Sequence, residues 1–246
     1  LILLFILSMT VTPSVYFTSG QTSLHETNSS ASVYLTLSRN QKYLFTAYDY
    51  YRETDYDQHL FGLGFSQPIA NKLWLRGVGF TYLTSTDNLG MVGAVRISYG
   101  YTPVYSLGFC YSVYSHSLAG IRKFSSVYQF NPEYQRLIYQ TNITLGIVYT
   151  NAYHKSYFAG TIKANKNLTA KLNLEIAGAY GKLFHHIDDR LLVVNNRLDI
   201  QTAKIALRLK YRLPVKNLSV AGIVTRNIFD NYYINYYTAG LEYTWL

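Results

Sequence analysis

The residues with the most chemistry to offer lie where charges alternate with apolar side chains. Residues 205–213 read IALRLKYRL, with Arg208, Lys210 and Arg212 between Leu207, Leu209, Tyr211 and Leu213. On a helix these cations would spread round the circumference. On a strand, successive side chains point to opposite faces, so one face is apolar and the other basic. Such a basic face attracts and orders anions; it does not make or break bonds. The same parity places Arg96, Arg136, Lys163, Lys171, Glu175, Lys204, Arg208, Arg212 and Glu242 opposite the apolar face of their segments, and seven of these nine are basic.

Two further groupings could do acid–base or nucleophilic work. His154 and Ser156 are two apart, so on a strand they share a face, where a His can activate a Ser if a third polar group orients the imidazole. His185, His186, Asp188 and Asp189 form the densest titratable cluster, with donors suited to a divalent metal or an acid–base pair. Neighbouring residues on a strand point apart and no second ligand group accompanies them, so a solvated loop is the competing reading. No motif implies a cofactor, and the glycines form no phosphate-binding loop.

Segments of about ten to fifteen alternating residues must position these groups. The chain has 246 residues, of which 26 are Tyr and 12 Phe, and only 14% are charged. Soluble domains carry roughly 25% charged residues. The formal charge is +9, but the cations are scattered and form no run of the kind that grips nucleic acid. A single cysteine, Cys110, excludes an internal disulfide framework. Residues 1–11, LILLFILSMTV, are too short to cross a bilayer as a helix, which takes about 20 residues. They match the apolar core of a secretory signal peptide, predicted over 1–20 with cleavage after Ser14 or Gly20.

From residue 42 onward the segments alternate, weakening through 118–130 and recovering after Asn131-Pro132. Met91, Val95, Ile97 and Tyr99 share a face, as do Tyr105, Leu107, Phe109 and Tyr111, and turns are expected at QPIAN, Thr102-Pro103, Asn131-Pro132, NKN and PVKN. Twelve strands fit residues 42–246, with fourteen as the alternative count. Residues 21–41 contain one more candidate strand, ASVYLTLS at 31–38, or a segment that plugs the interior. The connections predict short turns at one end and longer polar loops, including 184–197, at the other.

The last strand carries a resemblance. Tyr237, Ala239, Leu241, Tyr243 and Trp245 share one face and Thr238, Gly240, Glu242 and Thr244 the other. This resembles the terminal strand of bacterial outer-membrane β-barrel proteins, in which an apolar alternating strand ends in an aromatic residue; here the aromatic is penultimate. The resemblance implies a closed antiparallel up-and-down transmembrane β-barrel over 42–246, an outer-membrane location with lipid outside, and recognition of the last strand by the barrel-assembly machinery. Charges on the inner face then line a lumen, and rings of basic side chains favour small anionic solutes. The expectation is a passive channel rather than an enzyme. A closed barrel whose charges pair internally, presenting its loops as a contact surface, is the alternative. The His154/Ser156 spacing resembles that of outer-membrane lipid-acyl hydrolases, though their motif continues with Asn and Gly where this chain has Tyr157 and Phe158.

Overall fold

A computed structural model describes residues 9–54, 56–85, 89–118, 121–184, 187–188, 193–194 and 199–245. The strands are β1 (Thr10–Thr22), β2 (Thr27–Arg39), β3 (Lys42–Glu53), β4 (Tyr56–Ala70), β5 (Leu73–Thr84), β6 (Leu89–Tyr99), β7 (Val104–Leu118), β8 (Ile121–Ile138), β9 (Thr141–Ala152), β10 (Lys155–Asn167) and β11 (Leu172–Leu183). After the two-residue strands β12 (Ile187–Asp188) and β13 (Val193–Val194) come β14 (Gln201–Arg212), β15 (Leu218–Phe229) and β16 (Tyr233–Tyr243). Strands β12 and β13 pair only with each other; the other fourteen close into one antiparallel barrel, with β11 beside β14 and β1 beside β16.

Twelve of the wall strands do lie beyond residue 42. The total is fourteen because Thr10–Thr22 and Thr27–Arg39 also belong to the wall. Segment 21–41 therefore supplies wall rather than plug, and β1 begins inside the stretch read as a leader; residues 1–8 of that leader lie outside the described residues. Strand β1 alternates as a barrel strand should, Phe17 exposed outward and Gly20 and Thr22 buried inward. The seam to β16 pairs Ser14 with Glu242 and Thr18 with Thr238.

Turn chemistry explains the other differences. Asn131-Pro132 is not a turn: β8 runs through it, and its ladder to β9 skips from Phe130↔Tyr149 to Glu133↔Gly146. Proline has no N–H to give a ladder, so a gap there is how a strand accommodates it. The chain turns instead at Tyr139-Gln140, both with positive φ (46° and 64°). Asn40-Gln41 and Tyr153-His154 turn in the same way. Two residues at positive φ give the two-residue hairpin whose twist matches its strands. Loop lengths are not sorted by end. Connections at both ends run from two to five residues, and only the one between β11 and β14 is long.

The outer wall is apolar. Leu63, Val95, Ile147, Ile162, Leu207 and Leu241 all face outward and are exposed. Outward charges such as Arg52, Asp57, Arg136, Lys166 and Arg226 lie within three residues of a strand end. No helix of the described residues is long and apolar enough to cross a membrane, and the backbone polar groups are paired round a closed ladder, which is what lipid demands of strands.

Candidate functional site: the two sides of the lumen

Inward side chains divide the interior into two unlike sides. Along β4 to β9, toward the end bearing the β11–β14 loop, they are packed and buried, an apolar cluster on β4 to β6 with Ser112, Gln129 and Thr150 buried on β7 to β9. Leu60, Val78, Phe80, Tyr82, Val92 and Val127 form one buried cluster, which Tyr157 and Phe184 join. Small residues let the rings lie flat. A Cβ on Gly90 would sit 2.0 Å from the Tyr82 ring, and one on Gly108 would sit 2.8 Å from the Arg96 guanidinium. Arg96, 4% exposed, crosses that glycine to reach Glu133 at 3.0 Å, itself 12% exposed. Arg76, directly opposite Arg96, places its guanidinium 4.3 Å from the Phe45 ring centre. A buried cation without a counter-charge would be strongly destabilising, and Glu133 supplies that charge.

From β10 through β16 to β1 the middle of the inner face is polar and half-buried, whereas toward the end bearing the β11–β14 loop Tyr157, Leu183, Phe229 and Ile234 are buried as on the other side. Lys163 pairs with Glu175 at 2.9 Å, and Asn165 Nδ2 donates to Glu175 at 3.2 Å. Arg208 reaches Glu242 at 2.8 Å, Lys210 donates to the same carboxylate, and the Tyr16 hydroxyl donates to it across the seam. Farther round, on β2 and β3, the Ser32 hydroxyl donates to Asp49. Lys204 faces inward between Ala179 and Asn227, with no ion-pair partner among the described residues. Leaving aside Lys155 and Arg212 at the rims, the inward charges on β10 to β16 are four cations (Lys163, Lys204, Arg208, Lys210) and two carboxylates (Glu175, Glu242), an excess of +2.

The structure thus brings Lys163, Glu175, Lys204, Arg208 and Glu242 onto one side and sets Arg96 on the other. Three expected lumen residues are placed elsewhere. Arg136 pairs opposite Ile143 with outward parity and is exposed, because the turn lies at 139–140 rather than 131–132. Lys171 sits in the β10–β11 turn, where its carbonyl accepts the Arg212 N–H. Arg212 keeps the inward parity of Arg208 and Lys210, opposite Ser219, but ends β14 exposed at the mouth. Glu133, Asp49, Arg76 and Lys210 are inward charges absent from that set. Glu133 stood beside a supposed turn, whereas Lys210 was readable from the alternation of IALRLKYRL.

No family model and no curated protein matches this chain. Solved structures do. The toluene transporter TodX of Pseudomonas putida superposes with a TM-score of 0.57 at 8% identity, over 96% of this chain and 88% of that one. Omp33, an outer-membrane protein of Acinetobacter baumannii, gives 0.54 at 12% identity over 96% and 99%. The NanC porin gives 0.50 at 11% identity over 93% and 98%. The fold is that of a bacterial outer-membrane β-barrel.

In this outer-membrane-type barrel the candidate catalytic groups stand apart from the lumen. His154 occupies a left-handed turn position (φ 59°), and no hydrogen bond joins it to Ser156. Ser156 faces outward, within 3.1 Å of the Tyr149 hydroxyl and 3.3 Å of Asn151 Nδ2. His185, His186 and Asp189 lie outside the described residues, and of Asp188 only the backbone pairing in β12 is described. Among the described residues no group of three metal-ligating side chains gathers.

Proposed function

We propose that the protein is a passive outer-membrane channel whose solute path runs along the half-buried side of the lumen, β10 to β16, and favours small anions over cations. The single observation behind this reading is the contrast in exposure inside one wall. Lys163 and Lys210 are 39% and 35% exposed, whereas Leu60 on the facing side is 2% exposed. Water reaches the middle of the first surface and not the packed cluster, and a path for polar solutes follows water. The excess of +2 on that surface supports the anion preference, since like charge excludes cations from a narrow polar lane. The fold neighbours described as a toluene transporter and a porin support the channel class.

On this reading the exposed apolar belt contacts lipid. Tyr99, Tyr105, Tyr211, Tyr243 and Trp245 at the end where the chain starts, and Phe124, Phe158 and Tyr180 toward the other, sit where amphipathic rings meet headgroups. Strand β16 is the segment offered to the barrel-assembly machinery. The packed cluster on β4 to β9 favours a second reading, a closed barrel that serves as a surface contact. Planar-bilayer recording separates them. The channel reading expects discrete conductance steps and a reversal potential displaced toward the anion in a salt gradient. Absence of steps with folded protein in the membrane would favour the closed barrel, and a cation-selective reversal would remove the anion preference.

A further inference from the structure

The half-buried side of the lumen contains one place where three small side chains lie together. Ala177 and Ala179 on β11 face inward, and Ala206, directly opposite Ala177 on β14, completes a floor of three methyl groups. On the packed side small residues are covered by neighbouring rings; here the alanines remain half-exposed. Cations border the floor. Lys163 is directly opposite Ala177 on the β10 side, Lys204 directly opposite Ala179, and Arg208 follows Ala206 on the same strand face. Lys163 and Arg208 are held by Glu175 and Glu242. Among the described residues, Lys204 is not held by any carboxylate and Arg208 Nε is buried with no hydrogen-bond partner.

We propose that this floor is a binding station for a small solute bearing a phosphate or carboxylate group, with Lys204 as the residue that takes the anion. The proposal rests on the channel reading and names its solute class. Directly opposite side chains in a sheet start about 5 Å apart and diagonal ones about 7–8 Å, so the long Lys204 chain can close over one compact anion seated on the methyls. The ammonium of Lys204 supplies a charge-assisted hydrogen bond in a partly desolvated lumen, where it is stronger than in bulk water. The carboxylates of Glu175 and Glu242 keep the neighbouring cations from trapping the solute, so it can leave again.

The test is titration of the folded barrel in detergent micelles with inorganic phosphate at low ionic strength, followed by phosphorus NMR line broadening. Saturable binding is expected. Lys204→Gln weakens it about tenfold, as loss of one charge-assisted contact implies. Lys204→Arg retains it, Ala179→Leu abolishes it by filling the floor, and Arg212→Gln at the mouth leaves it unchanged. A difference in mobility between unboiled and boiled protein in detergent gels shows that each variant is folded. If Ala179→Leu does not fold, Ala206→Val serves in its place. Absence of saturable binding, wild-type affinity in Lys204→Gln, or equal weakening by Arg212→Gln would overturn the station. Because binding is read without current, a barrel that binds phosphate but does not conduct removes the channel and keeps the station. One that conducts but does not bind removes the station alone.

Discussion

The inner faces of β4–β9 and of β10–β16 are built by the same alternation and end as opposite solvents. On the first, Phe80, Tyr82 and Val92 meet one another and exclude water; on the second, Lys163, Lys204 and Lys210 stand over alanines and remain wet. Alternation decides only which residues point inward. Their size and polarity decide whether the space inside is filled. The same kind of ion pair therefore does different work on the two sides: Arg96–Glu133 neutralises a charge that water cannot reach, while in Lys163–Glu175 the cation is 39% exposed and water reaches it.

Glu133→Gln is the sharpest way to break this contrast. It should destabilise the barrel by about 3–5 kcal/mol, the cost of removing the counter-charge of a buried cation. The equivalent Glu175→Gln should cost less than about 1 kcal/mol because water screens the pair. Urea unfolding in lipid vesicles measures both, and equal losses would mean that the two sides share one environment. Phe80→Ala should cost about 3–5 kcal/mol through the cavity it leaves, and its conductance should exceed that of wild type as the packed side admits water. Thr225→Ala on the wet side should change neither.

The wall itself is tested by adjacent residues on opposite faces. Val224→Arg places a cation in the apolar belt and should cost roughly 2–4 kcal/mol. Thr225→Arg points into the lumen and should fold like wild type, with a reversal potential moved farther toward the anion. The smallest effect concerns the glycines. Gly90→Ala must push the Tyr82 ring aside and should cost about 1–3 kcal/mol by overpacking. Gly93→Ala, whose added methyl meets nothing within 4 Å, should stay within about 0.5 kcal/mol of wild type.

Much of the wall was legible in the sequence because period two survives wherever one face meets lipid. Leu207 and Leu209 do face outward with Arg208 inward, and β16 has the parity assigned to it. Arg136 was misassigned because the parity of β9 was carried back through the turn at Tyr139-Gln140: across a two-residue hairpin Ile138 pairs with Thr141, so even residues before the turn share a face with odd residues after it. Tyr139-Gln140 offers neither Gly nor Pro to mark the turn, whereas Asn131-Pro132 offers a signal that the strand absorbs. Strand β1 was obscured for a different reason. Its outward Val11, Val15 and Phe17 continue the apolar run of residues 1–8, so lipid-facing alternation reads as the end of a leader. The packed side could not be read from pattern. In KLWLRGVGFTYL both faces are largely apolar, and alternation is informative only when the two faces differ.

Thirteen of the fourteen junctions in the wall join strands that follow one another round the barrel, and each can zip as soon as its own two partners exist. The β1–β16 junction is different, because Tyr16 and Glu242 meet across 226 positions of sequence. Until that latch engages, the sheet keeps two raw margins ready to pair with any stray strand. The closing step therefore answers to the longest stretch of chain in the molecule. A Glu242→Gln change, slight in its effect on the finished barrel, would be felt most while the cylinder is still open.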